Sequence, residues 1–229
     1  MVKQLKTKKN KEPAGGTAAR REELREALLA TLERTVVAEG YQALRARDLA
    51  REVGCAVGAI YNVFPDLDAL VFAAKGRTLD LLDRELGEVV GAVAAAGSVT
   101  AEIATRQLLA LADAYLRFAI DHAPLWRMLY EHRAAAGTAV PAWYRDRLSA
   151  LFTHLDAPLR AIVPDLGADE RALIGRALFS AVHGIVALGL EERIDTLSHA
   201  AIAGQVATIV GACVAGLMAG GERDETVRL

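Results

Sequence analysis

Apolar positions recur along this chain at intervals of three and four residues, and no stretch alternates as a strand would. Leu24, Leu28, Leu32 and Val36 form a stripe over residues 20–39, and Gly40 is a natural stop. Leu49, Ala50 and Val53 begin a second helix that Gly54 breaks, and Ile60, Val63 and Phe64 carry a third. Two such short helices cannot stand alone in water, so they must cross and share one small core. Ala50 supplies the small residue for a close crossing and Gly54 the left-handed turn, so residues 46–64 read as a helix-turn-helix. Pro65 ends the third helix, and Asp66 caps a long one running from Leu67 into residues 92–96. Further helical segments follow over residues 100–122, 124–134, 141–163, 168–191 and 195–220, the third of them expected to kink at Pro158.

Composition agrees with an all-α protein: 229 residues, 53% hydrophobic, only six prolines and 5% aromatics. Charge divides unevenly. Residues 1–65 carry 12 Lys and Arg against 8 Asp and Glu, a balance of +4, whereas residues 66–229 carry 15 against 21, or −6. A basic head on an acidic body fits an anionic partner such as phosphate at the N-terminal end. Residues 1–17, with Lys3, Lys6, Lys8, Lys9 and Lys11, read as a loose basic arm, which serves either as a solvated tail or as a phosphate-following extension.

Several classes fall away. Cys55 and Cys213 make neither a disulfide framework nor a metal site, and they read as free thiols in a reducing cytoplasm. The charged N-terminus is followed by no apolar run, so no signal peptide is expected. Residues 200–221 lack charge over a length that could span a bilayer, but they are Ala- and Gly-rich and hold Gln205 and Thr208. Close helix packing against protein accounts for them better than a membrane does. The histidines at 122, 132, 154, 183 and 199 show no metal-ligand spacing, and neither a phosphate-cradling glycine loop nor a nucleophile elbow is present. No enzyme, cofactor or metal is expected.

Residues 40–70, GYQALRARDLAREVGCAVGAIYNVFPDLDAL, resemble the N-terminal domain of TetR-type transcriptional regulators. Gly-Tyr, Asp-Leu-Ala, the turn glycine, Gly-Ala-Ile-Tyr and Phe-Pro-Asp fall at that family's spacings. The resemblance implies an N-terminal three-helix DNA-binding domain and a larger C-terminal helical domain for ligand binding and dimerisation. The corresponding boundaries are an arm at 1–17, a head at 18–65, a connecting helix at 66–96 and a body at 97–229. It further implies a homodimeric cytoplasmic regulator, most often a repressor, that holds a palindromic double-stranded operator and is released by a small-molecule effector. The segments AYLRFAIDHAPLWRMLY and AVHGIVALGL are similar to the branch with a Trp-His-Gly motif, although Val182 stands where that branch has Trp.

The second helix of the motif should enter the major groove and present Ala56, Val57, Gly58, Ala59 and Asn62, with Tyr61 on phosphate and Arg45 and Arg47 flanking. It offers no Arg or Lys for guanine, so Val57 and Ala59 would meet thymine methyls and Asn62 an adenine. Ala56 replaces the family's Ser or Thr cap, Leu67 replaces a phosphate-gripping Lys, and Arg45 replaces a capping Thr. These departures keep a rival open: a helical small-molecule-binding or scaffold protein whose head no longer binds DNA. Dimerisation is expected through Ile174, Leu178, Ala181 and Ile185, and through Ile202, Val206, Ile209, Val210, Cys213 and Leu217. Effector-lining candidates are Tyr115, Phe118, Trp126, Met128, Tyr130, Trp143 and His183, from the cluster of aromatics in the middle of the body.

Overall fold

The computed structural model describes residues 14–94, 100–135, 139–191 and 197–227. The described residues form ten α-helices, one short 3-10 turn at Tyr41–Ala43 and no strand. The chain divides into two compact units, Met1–Ala74 and Lys75–Leu229.

The first unit contains α1 (Ala14–Glu39), α2 (Ala46–Val53), α3 (Val57–Val63) and the start of α4 (Leu67–Ala94). Residues 1–13 of the expected arm lie outside the described residues, and Ala14–Thr17, expected as arm, already belong to α1. Alanines and charged residues of high helix propensity carry the helix back across Gly15 and Gly16. Leu28, Leu29, Leu32 and Val36 are fully buried under the motif, while Leu24 is half-buried. Gly40 ends α1 at φ 79° and Gly54 closes α2 in the left-handed region at φ 76°. Cys55 N–H then donates to the Ala50 carbonyl at 2.9 Å, which turns the chain into α3. Asp66 caps α4, its Oδ1 accepting from Ala69 N–H at 2.6 Å.

The second unit is built around α5 (Ala101–Asp121), which packs on α8 (Thr153–Ile162), α10 (His199–Val227), α6 (Ala123–Glu131) and α9 (Ala168–Gly189). Thr100 caps α5 through Oγ1 and Ile103 N–H, at 3.3 Å. The helix expected over 141–163 is two helices, α7 (Ala142–Leu151) and α8, and the break falls at Phe152 rather than at Pro158. At the break Phe152 N–H donates to Ser149 O and Leu155 N–H to Phe152 O, both at 3.1 Å, a tighter three-residue pattern that interrupts the α-helix. Pro158 sits inside α8, buried, without ending it. Arg171, almost fully buried, ties α9 to α8 through Asp156 Oδ1 at 3.1 Å and donates to the Leu166 carbonyl. Hydrogen bonds from Arg160 and Arg171 hold the Asp156 carboxyl below the ordinary aspartate range.

By length and composition α9 and α10 are each apolar enough to cross a membrane, yet both lay one face in the core. That packing corrects the expected dimer stripe. Leu178, Ile202, Val206 and Val210 point inward and are buried, and Ile174, Ile185, Ile209, Cys213 and Leu217 lean half-buried on the same core. Large side chains gain most from burial, so they fill the chain's own interior. The exposed faces are instead small or isolated: Ala177, Ser180 and Leu188 on α9, with Gly204, Gln205 and Thr208 on α10. Ala181, half-buried, borders this outer face beside Gly184 and Gln205. Asp195, where the last helix was expected to begin, lies outside the described residues; α10 starts at His199, and Ser198 Oγ accepts from Ala201 N–H at 3.2 Å.

Candidate nucleic-acid interface and cavities

Helix α3 has only seven residues, so its position depends on what it buries. Ile60 is fully buried and Phe64 nearly so, with the Arg25 guanidinium over the Phe64 ring at 5.6 Å. Anchoring that side turns the other outward. Ala56, Val57, Gly58, Tyr61 and Asn62 are exposed and Ala59 is half-exposed; Tyr61 shows 48% of its surface. Nothing lies within 4 Å of where a Cβ on Gly58 would stand, so a backbone or base edge can approach there closely. The structure thus gathers the six recognition-helix candidates on one open face.

The flanking arginines behave differently from each other. Arg47 is exposed on α2. Arg45 is turned back, its Nη1 donating to the carbonyls of Gln42 and Leu44, both at 2.8 Å, so that it braces the loop before α2. Ala56 provides no side-chain cap; only its carbonyl bonds forward, accepting from Ala59 N–H at 2.8 Å. Leu67 is half-buried. Charges around the motif are partly neutralised in place, Arg51 on Asp48 at 2.7 Å and Arg34 on Glu52 at 2.8 Å.

In the second unit the aromatic candidates separate. Tyr115, Trp126, Tyr130 and His183 form one network. Trp126 Nε1–H donates to Tyr115 Oη at 3.0 Å, and Tyr115 Oη lies 2.8 Å from His183 Nδ1 and 3.1 Å from Tyr130 Oη. A phenol has one proton and two lone pairs, so these three partners use its full capacity. Burial raises the Tyr115 hydroxyl far above the ordinary phenol range and the Tyr130 hydroxyl above it, which keeps both protonated. The same burial lowers the His183 imidazole, which is neutral at pH 7. Trp126, Tyr130 and His183 line a polar hollow of about 420 Å³, together with Arg127, Glu131 and Glu191. Phe118 and Met128 are fully buried and line neither this hollow nor the cavity described next. Trp143 stands elsewhere, 42% exposed on α7 against Arg147 at 5.2 Å.

A second cavity, about 70 Å³, is walled almost entirely by apolar side chains, leucines foremost: Leu82, Leu86, Leu108, Leu111 and Leu178 among them, with Ala112 and Phe179. Tyr115 borders it, and the Phe179 ring that faces it stacks on His183 at 5.7 Å, so one layer of side chains parts the two spaces. Sequence reasoning missed this cavity, because a leucine beside a void carries the same periodicity as one in a filled core. Among the described residues no cluster of three or more His, Cys, Asp or Glu is placed to hold a metal ion.

Residues 28–74 match the family described as bacterial regulatory proteins, tetR family, and residues 108–210 match the tetracyclin repressor-like C-terminal domain. The fold is similar to that of a protein of unknown function from Rhodococcus sp. RHA1, at 26% identity and TM-score 0.62, covering 86% of this chain and 94% of that one. It is also similar to a tetR-family transcriptional regulator from Streptomyces coelicolor (18% identity, TM-score 0.59, 87% and 82% covered). The TetR family transcriptional regulator PfmR from Thermus thermophilus shares 16% identity at TM-score 0.56, with 80% and 96% covered. No curated protein matches the chain. The open face of a helix-turn-helix head, the helical body and the match of both to one family place this chain in the TetR family of transcriptional regulators.

Proposed function

We propose that the protein is a homodimeric repressor that binds a palindromic operator through α3 and is released by a small-molecule effector held in its second unit. The observation that carries the reading is the exposed α3 face, six candidates wide, on a helix anchored from behind by the buried Ile60 and Phe64. One head makes too few base contacts for a specific site, each being worth about 1–3 kcal/mol. Two heads about 34–36 Å apart would reach successive major grooves. The outer faces of α9 and α10 supply the pairing surface, with Leu188 on α9 and Met218 on α10 as exposed apolar residues beside small ones. An effector that binds the operator-incompetent conformation more tightly shifts the population away from DNA, and a coupling of about 1–3 kcal/mol gives partial derepression. No catalysis is assigned, and a bacterial cytoplasm is the expected location.

The test is an anisotropy titration of the full chain against labelled duplex from its own upstream region. Saturable binding with a steep salt dependence supports the regulator. Leu188→Glu should give a monomer by sedimentation and abolish that binding. One observation favours a second reading: α3 bears no cation, and Arg45 is bound to its own loop. A head that binds no palindromic duplex even at low salt would be that of a ligand-binding or scaffold protein.

A further inference from the structure

The leucine cavity and the polar hollow make opposite demands on a ligand. In the cavity only two polar groups face inward, Tyr115 and His154. The Tyr115 hydroxyl is filled by Trp126, Tyr130 and His183. His154 Nε2 is engaged by Asp83 Oδ1 at 2.8 Å. A charged group brought here would lose its water and meet no Asp, Glu, Lys or Arg among the lining residues. An alkyl chain would exchange water for leucine side chains.

The way in lies at α7. Leu148, Leu151, Phe152 and Leu155 border the cavity and are half-exposed, and α7 packs chiefly on α8. Contacts that hold α7 against α4 include Arg147 Nε on Asp80 Oδ1 at 3.2 Å, Lys75 Nζ over the Tyr144 ring at 5.1 Å, and the seat at Gly76. A Cβ on Gly76 would meet Arg147 Nη1 at 2.5 Å and Trp143 Cζ3 at 2.9 Å, so glycine is what permits this approach. At about 70 Å³ the cavity holds a few carbon atoms, so a longer chain would require α7 to move.

We propose that the effector is an uncharged, largely hydrocarbon molecule that enters the leucine cavity beneath α7. This rests on the reading of the chain as an effector-released regulator, and it assigns the site to the leucines rather than to the aromatic hollow. The experiment is isothermal titration of the full chain at neutral pH with three probes that share one tail: 1-decanol, decanoate and decylammonium. Decanol should bind saturably at one per chain, and the two ions roughly a hundredfold more weakly or not at all. Ala112→Leu, which fills the cavity, and Leu148→Trp, which blocks its mouth, should each remove decanol binding, while Tyr130→Phe in the polar hollow should leave it unchanged. Circular dichroism confirms that each variant is folded, and the mouth variant keeps the test valid if the filled one is not. Ionic probes that bind as tightly as decanol, absence of binding by all three, or decanol binding unchanged in both cavity variants would overturn the proposal. Decanol that binds as expected but fails to release operator DNA supports the ligand class and overturns the effector reading instead.

Discussion

Replacing Tyr115 by Phe removes one oxygen and leaves the ring, so the loss falls on the network centred there. Tyr115 and Trp126 are each only 4% exposed. Without the phenol the Trp126 N–H, 3.0 Å away in a hydrogen bond that is buried where those of His183 and Tyr130 are only part-buried, loses its acceptor. A buried donor left unmade costs about 1–3 kcal/mol. His183 and Tyr130 line the polar hollow, where water can take over their bonds, so they add little. We therefore expect a loss of about 1.5–3 kcal/mol, or a Tm lowered by about 4–10 °C. Tyr130→Phe removes a single bond at the rim and should cost below about 1 kcal/mol. The assay is urea unfolding followed by circular dichroism at one fixed protein concentration, since the proposed dimerisation would be linked to unfolding. A Tyr115→Phe loss no larger than that of Tyr130→Phe would refute the claim that Tyr115 is the shared acceptor.

Further outcomes follow from other sites. Gly54→Ala forces a side chain into φ 76° and should destabilise the head by about 1–2 kcal/mol, read as lost protection of its amides in hydrogen exchange. His183 has a folded pKa held below its unfolded value by burial, so the unfolded chain binds its proton first. Its contribution to stability is fully present above about pH 6.5 and declines as pH falls towards the lowered value. His183→Gln should flatten that part of the pH–stability curve, leaving the loss below about pH 4 that Asp156, with its lowered pKa, brings. Replacing thymine by uracil in the operator half-sites should weaken binding wherever Val57 or Ala59 meets a methyl, measured by anisotropy competition; equal affinity would remove the methyl contacts from the account.

What could be read from the sequence was whatever local chemistry fixes. Gly40 and Gly54 end helices at positive φ, Asp66 caps one, and Ile60 with Phe64 orients α3, all within a few residues of one another. The fold class and the exposed face of α3 followed from these. Failures came where distant parts of the chain decide. The break at Phe152 involves no helix breaker, and Pro158, the obvious breaker, is carried inside α8. On α9 and α10 both faces are apolar, and only packing against α5 and α8 settles that Ile202, Val206 and Val210 turn inward. Aromatic residues pointed to a pocket, yet Phe118 and Met128 are solid core and Trp143 stands apart, while the leucine cavity carries no mark in the sequence.

The central claim is that α3 reads DNA twice, once from each half of a dimer. Hydroxyl-radical footprinting of the full chain on its operator tests it most directly. The account predicts two protected patches on one face of the duplex, centred about 34–36 Å apart and both lost in Tyr61→Ala at the same protein concentration. A single patch, or protection that Tyr61→Ala leaves intact, would contradict it.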